Sequence, residues 1–351
     1  MMDEERRRLR PVTAWLATGC VLIALMVVIG GITRLTGSGL SITEWDPIMG
    51  ALPPLDEAAW QEAFEKYKRI PEYRLVNSHM DLEGFKRIFF WEWMHRNWGR
   101  LMGIIFIVPF ALFWRRGLLK GWLLRRAMWI MLGGAIVASL GWFMVLSGLV
   151  DLRDANGQLL VNVSHFRLAI HLCGAFTVFC MVLWTVFDIR LGRKGFAPER
   201  SPAGGWARGL LALLALQIVW GAFTAGLDAG RIYNTWPLMN GAFMPENITA
   251  FSSLWQNLAD HRDGVQFVHR NLAWLVAAAF VGFAWRFRTV PGLHWRWLIA
   301  AVAMQFVLGV LTVLTHVSLA LGVLHQFGAL FLLAVLVSVL HATGRPAPSA
   351  T

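Results

Sequence analysis

The chain has 351 residues, 57% of them hydrophobic, with 19 tryptophans and a mean hydropathy of +0.53; soluble domains average about 45–50% apolar residues, so a soluble fold is excluded. The formal net charge of +11 is carried largely by arginines in the short connections between apolar runs. It therefore reads as membrane topology and attraction to lipid headgroups, with no nucleic-acid surface.

Runs of roughly 20 apolar residues are long enough to cross a bilayer, and they predict eight spans: 12–33, 91–114, 123–150, 163–189, 206–227, 265–286, 295–316 and 318–341. Backbone groups in hydrocarbon must bond within their own segment, so each run is read as a helix. The expected fold class is an all-α integral membrane protein of two pseudo-symmetric four-helix bundles, 12–190 and 206–341. A linker, 191–205, joins them, and short ends, 1–11 and 342–351, flank them.

Positive charge orients the spans. Arg6, Arg7, Arg8 and Arg10 precede the first, Arg115, Arg116, Lys120, Arg125 and Arg126 follow the second, Arg190, Arg193, Lys194, Arg200 and Arg208 surround the linker, and Arg286, Arg288 and Arg296 follow the sixth. All these connections fall on one side, which places both termini in the cytoplasm. Arg6 to Arg10 lead straight into a full-length span, so no cleavable signal is expected and a bacterial inner membrane is favoured. Cys20, Cys173 and Cys180 all lie inside spans and are read as small packing residues, outside any disulfide framework.

The two halves repeat. Gly31 to Pro54 (GITRLTGSGLSITEWDPIMGALPP) matches Gly221 to Pro245 (GAFTAGLDAGRIYNTWPLMNGAFMP), with Trp45 on Trp236, Gly39 on Gly230 and Gly50 on Gly241. Four spans separate the copies. Both therefore share one membrane orientation, a parallel repeat about the membrane normal. The outer loop of the first half, 34–90, is long and mixed in charge, and Leu55 to Ile70 has the spacing of an interfacial amphipathic helix with Trp60, Phe64, Tyr67 and Ile70 on one face.

Histidines stand at the outer ends of the even-numbered spans. His95 and His269 open a His-Arg-Asn motif, and His171 and His325 open His-x-x-Gly-Ala. Ionisable side chains in spans are costly and usually mark function. Small residues follow each at helical spacing: Gly99, Gly174 and Ala175, Ala273, Gly328 and Ala329. They clear space for a flat macrocycle; close helix packing is the alternative reading. Two histidines per bundle, without accompanying cysteine or aspartate, favour axial ligation of haem iron over a compact zinc or copper site. His79, His165, His261, His294, His316 and His341 read as solvated or interfacial.

The halves differ at one place. Glu92 stands three residues before His95, where Gln266 stands before His269. A carboxylate beside a haem can move protons, and an amide cannot, so the first half is read as the reactive site. In the competing reading Glu92 pairs with Arg96 or sits at a helix N-terminus. Arg96, Arg231 and Arg270 are candidate partners for haem propionates.

In these residues the chain resembles the haem A synthase family. The matching stretches are Arg34 to Trp45 (RLTGSGLSITEW), Glu92 to Arg100 (EWMHRNWGR), Phe166 to Leu172 (FRLAIHL), Gly221 to Gly241, Gln266 to Ala273 (QFVHRNLA) and Val323 to Leu330 (VLHQFGAL). The version looks like that of alphaproteobacteria and mitochondria, and it departs from the branch with a cysteine pair in the first outer loop. The resemblance implies oxidation of a ring methyl of haem O to the formyl of haem A for terminal oxidases. It implies a substrate haem on His95 and His171, a permanent haem b on His269 and His325, and Glu92 as the catalytic acid. Expected partners are the lipid bilayer, a haem O synthase, an electron-transfer protein and a second copy of the chain. The competing readings are a dihaem b-type electron-transfer cytochrome and a haem transporter or insertion chaperone; the long outer loop and Glu92 speak against the cytochrome.

Overall fold

The computed structural model describes residues 2–46, 49–150, 161–191, 201–290 and 293–343. Most of the expected linker, 192–200 with Arg193, Lys194 and Arg200, and the tail 344–351 lie outside the described residues. Eight helices are long and apolar enough to cross a membrane: α2 (Arg10–Leu35), α5 (Leu82–Arg115), α6 (Gly121–Leu149), α7 (His165–Leu191), α8 (Pro202–Gly226), α9 (Arg262–Arg286), α10 (Trp295–Leu314) and α11 (Leu319–Ala342). Three short helices, α1 (Met2–Arg8), α3 (Glu57–Tyr67) and α4 (Pro71–Leu75), complete the set. No named strand occurs among the described residues.

The helix ends follow local chemistry. Pro11 opens α2 where its missing N–H costs nothing. Asp56 accepts from Ala59 N at 2.8 Å, Asp81 from Gly84 N at 2.7 Å, and Ser201 from Gly204 N at 3.0 Å, each satisfying a donor that the first turn leaves free. The α10–α11 turn places His316 at φ 54° and Val317 at φ 59°; a β-branched residue in the left-handed region is uncommon.

The arrangement of spans has the same neighbours in both halves. Helix α2 packs on α5 and α7, and α6 on α7; likewise α8 packs on α9 and α11, and α10 on α11. Contacts of α7 with α8, of α2 with α11 and of α7 with α11 join the halves. The inner core, including Leu16, Val182, Leu214, Phe280, Phe283 and Leu336, lies along these contacts. By contrast, α5 turns Ile104, Ile107, Val108 and Leu112 outward.

Two expectations are revised. Helix α5 begins at Leu82, nine residues before the predicted span, because Glu83, Lys86 and Arg87 interrupt the apolar run without interrupting the helix. The amphipathic segment does form α3, but its apolar face is not left for a lipid interface. Phe64 and Tyr67 are buried against the extension of α5, with ring centres 5.1 and 5.3 Å from Phe85. This gives the first outer loop a core of its own, built from Leu40, Phe64, Tyr67, Ile70, Phe85, Ile88 and Phe89.

Candidate functional site

Each of the four histidines lies against a glycine on the helix that precedes it in the chain order of spans. A Cβ at Gly30 of α2 would stand 3.2 Å from His95 Nε2, and one at Gly141 of α6 2.9 Å from His171 Cε1. The corresponding approaches are 3.0 Å from Gly221 of α8 to His269 and 2.9 Å from Gly309 of α10 to His325. At contacts this short a side chain would have to push the imidazole aside, so the ring rests against bare backbone. The sequence reading missed all four glycines, although at the 191-residue offset of the repeat Gly30 falls on Gly221.

Two of the small residues that follow the histidines, Gly174 and Gly328, pack against the neighbouring helix. Gly174 receives Val137, whose Cγ2 would lie 3.1 Å from a Cβ there, and Gly328 receives Gln305 and Leu308. Here close helix packing, the alternative reading, is what the geometry displays.

In the second half the two rings face one another: the centres of His269 and His325 are 6.3 Å apart and their planes meet at 84°. Their Nδ1 atoms have matched neighbours. Gln217 Nε2 lies 3.1 Å from His269 Nδ1 and donates to the His269 carbonyl at 3.1 Å. Gln305 Nε2 lies 3.2 Å from His325 Nδ1 and donates to the His325 carbonyl at 3.0 Å. In the first half His171 Nδ1 instead meets the backbone carbonyl of Val137 at 3.0 Å.

Glu92 is 3% exposed and fully engaged. Its Oε1 accepts from Arg96 Nε at 3.1 Å and Nη2 at 2.6 Å; its Oε2 accepts from Ser41 Oγ and Ile42 N, both at 2.8 Å. Arg96 continues to the carbonyls of Ile42 (2.6 Å) and Glu44 (2.8 Å). The i, i+4 pair with Arg96 therefore exists, and its effect is to pin the segment after α2 onto α5. Gln266 occupies the same place in the second half: its Nε2 donates to Tyr233 O at 3.1 Å, and Arg270 Nη2 donates to Thr235 O at 2.7 Å. So two of the three candidate propionate arginines, Arg96 and Arg270, hold loop carbonyls. Arg34 joins the halves, bonding the Ala225 carbonyl and pairing with Asp228 at 3.2 Å.

Near this cluster lies a residue that sequence reading did not single out. Glu72 of α4 is 9% exposed, and its Oε2 finds no partner among the described residues. Burial, with help from the negative charge of Glu92, pushes its carboxyl up to about 8. Only the tertiary fold of the loop buries it, so no spacing pattern announces it.

Two of the remaining histidines are not solvated. His341 is 2% exposed, and its Nε2 meets Asp188 Oδ1 at 3.0 Å, while Arg126 Nη1 donates to Asp188 Oδ2 at 3.1 Å. Buried charges persist when they are paired, and Asp188, which sequence reading overlooked, ties α6, α7 and α11 together. His165 is also buried and meets the Ala259 carbonyl at 3.0 Å. Among the described residues no cluster of three or more histidines, cysteines or acids has the arrangement of a metal site.

A model of a family described as cytochrome oxidase assembly protein matches residues 13–337. Relatives named haem A synthase are similar over nearly their whole length. One from Rhodospirillum centenum is 44% identical over 348 residues, covering 96% of this chain and 89% of the relative. Those from Flavobacterium johnsoniae and Caulobacter vibrioides are each 44% identical as well, covering 95% and 97% of this chain and 97% and 98% of theirs.

Proposed function

The chain belongs to the cytochrome oxidase assembly protein family, and from that premise we propose that it is a haem A synthase, oxidising the ring methyl of haem O to the formyl group of haem A. The observation that carries this reading is the contrast of the two sites: matched histidine pairs, with an ionisable carboxylate one turn from a ligand in the first half alone. Two successive hydroxylations of the methyl and loss of water give the formyl. His95 and His171 hold the substrate haem, and His269 and His325 hold a resident haem b.

The second pair fits a haem iron. The ring centres of His269 and His325 stand 6.3 Å apart, so these two imidazoles would hold one metal ion between them. When bound, such a haem supplies reversible one-electron transfer. The protein provides two fixed imidazoles and an apolar, water-poor surrounding.

Glu92 is the residue that handles protons at the substrate haem. Four donor groups hold its carboxyl in a fixed orientation, and one of them can leave without strain. The Ser41 hydroxyl has two acceptors, Glu92 Oε2 at 2.8 Å and the Ser38 carbonyl at 3.0 Å. Turning that O–H to Ser38 exposes a lone pair on Glu92, which then takes a methyl proton or activates water. Arg96 stays paired throughout and keeps the carboxyl in place.

Both termini lie in the cytoplasm and both histidine pairs toward the outer face of a bacterial inner membrane. The halves, 12–190 and 206–341, form a parallel pseudo-two-fold pair of bundles. Haem O arrives from the enzyme that makes it, and the electrons leave to a redox partner; assembly with a second copy is compatible with the exposed apolar helix faces.

The test is chromatography of haems extracted from cells that also make haem O. Wild type should give haem A, and Glu92→Gln should give haem O or a hydroxylated intermediate. Haem O unchanged beside wild-type protein would favour a dihaem electron-transfer cytochrome. One observation favours that second reading: Glu92 as placed is saturated with donors, as a purely structural clamp is.

A further inference from the structure

The second-half site contains a pair of side chains that the proposed chemistry does not use. Gln217 and Gln305 come from different helices, α8 and α10, yet each faces the Nδ1 atom of a histidine and that same histidine's carbonyl. The corresponding positions of the first half are apolar. Val137 faces Gly174 as Gln305 faces Gly328, and Met26 faces Gly99, on the α2–α5 contact that corresponds to the α8–α9 contact of Gln217. Room has been made for at least one amide: a Cβ at Gly328 would collide with Gln305 Oε1.

A second observation concerns the other end of each amide. Gln217 Oε1 and Gln305 Oε1 are buried and meet no donor among the described residues. An orphaned buried carbonyl oxygen is costly. Amide nitrogen and oxygen exchange places by a half-turn about the last side-chain bond, with hardly any change in shape. As placed, the NH2 group points at Nδ1, which suits a ring carrying its proton on Nε2. A histidine bound to a metal through Nε2 carries its proton on Nδ1 and needs an acceptor there. The half-turn supplies one and gives the orphaned oxygen a partner, in exchange for the bond that the amide now donates to the histidine's own backbone carbonyl.

Resting on the reading of this pair as haem ligands, we propose that Gln217 and Gln305 are positioning residues that accept the Nδ1 protons of His269 and His325 and thereby set the ring orientation and the reduction potential of the haem held there. A neutral amide is a moderate acceptor, weaker than a carboxylate. It leaves the imidazoles less electron-rich and the ferrous state more accessible than an acidic partner would. The first half, with a backbone carbonyl at His171, lacks this pair of adjustable acceptors.

The experiment is a redox titration of the purified, haem-containing protein, followed by its visible and low-temperature magnetic resonance spectra. Gln217→Glu and Gln305→Glu should each favour the ferric state by tenfold or more, a downward shift of about 59 mV for one electron. Gln217→Met, the residue of the first half, and Gln305→Leu should move the potential upward, because Nδ1 loses its acceptor. Opposite signs for acidic and apolar variants are the signature; a merely structural role would loosen the haem in both, in the same direction. Acidic and apolar variants that all keep the wild-type potential and spectrum would overturn the proposal. Wild-type protein that purifies without a low-spin haem dependent on His269 would overturn the premise itself, and this outcome is read before any variant is made.

Discussion

The two halves place the same side-chain types on the same helices, yet around their histidines they are built from different chemistry. In the second half amides surround the histidines: Gln217, Gln305 and Gln266. In the first half the matching places hold Met26, Val137 and Glu92, and only the last can change charge. On the proposed reading, one scaffold thus holds one haem for keeps and presents another for reaction. The difference lies in which neighbours can exchange protons, and not in the ligands themselves.

The most direct way to break this comparison is to remove ligands one half at a time. His325→Ala is expected to abolish the haem that survives purification, while His171→Ala should leave that haem in place and stop haem A formation altogether. Visible spectra of the purified protein and chromatography of the extracted haems read the two effects separately. Loss of the retained haem in both variants would mean that the halves are not separate sites.

Next in size is the tie between the halves. Asp188 is completely buried and shared by Arg126 of the first half and His341 of the second. Removing one member of a buried charged group strands the others, at a cost of about 3–5 kcal/mol. Asp188→Ala should therefore lower the melting temperature markedly in detergent, while Asp188→Asn, which keeps one acceptor and the shape, should lower it less. Equal melting of wild type and Asp188→Ala would show that the apolar contacts of α7 with α11 suffice to hold the halves together.

How much of this was legible beforehand depends on the range of the signal. The spans and the four histidines follow from composition and from local motifs, which survive in one dimension. The start of α5 did not, because a helix that rises out of the membrane onto a protein surface carries charges that resemble a loop. Gly30, Gly141, Gly221 and Gly309 matter only through a contact with another helix. Small residues beside the histidines on their own helices therefore do not announce these glycines. Asp188 and Glu72 were missed for the same reason: each is defined by burial, which a single sequence hides. Glu92 stands out in the sequence because the repeat supplies an internal reference, Gln266, at the matching position.

That internal reference can be exchanged. Glu92→Gln gives the first half the amide of the second, and loss of a general base typically lowers a rate by about 10²–10⁴-fold. Adding Gln266→Glu should not recover haem A. The new carboxylate would sit by the other histidine pair, facing the Tyr233 carbonyl in place of Ser41 and the Ile42 amide. Recovery in the double variant would show that the halves are chemically equivalent and that only the acid was missing.

The smallest expected effect tests the part that the second half lacks, the outer-loop core around Phe85. Glu72 is buried there with its carboxyl raised from an ordinary value of 4.5 to about 8. The sign follows from proton linkage. Below pH 4.5 the carboxyl is protonated whether the loop is packed or not, and burial costs little. Between about 4.5 and 8 the unpacked loop releases the proton while the packed one retains it, so the packed state loses stability as pH rises. Above 8 both forms are ionised and the full penalty applies. Glu72→Gln removes the charge and should stabilise the loop at pH 8.5, with no gain at pH 4. Hydrogen exchange at the amides of α3 and α4, followed at both pH values, reads this directly. Equal protection of wild type and variant at pH 8.5 would mean that water or a neighbouring cation reaches Glu72 when it ionises. The outer-loop core would then be looser at α4 than the packing of Tyr67 on Phe85 implies.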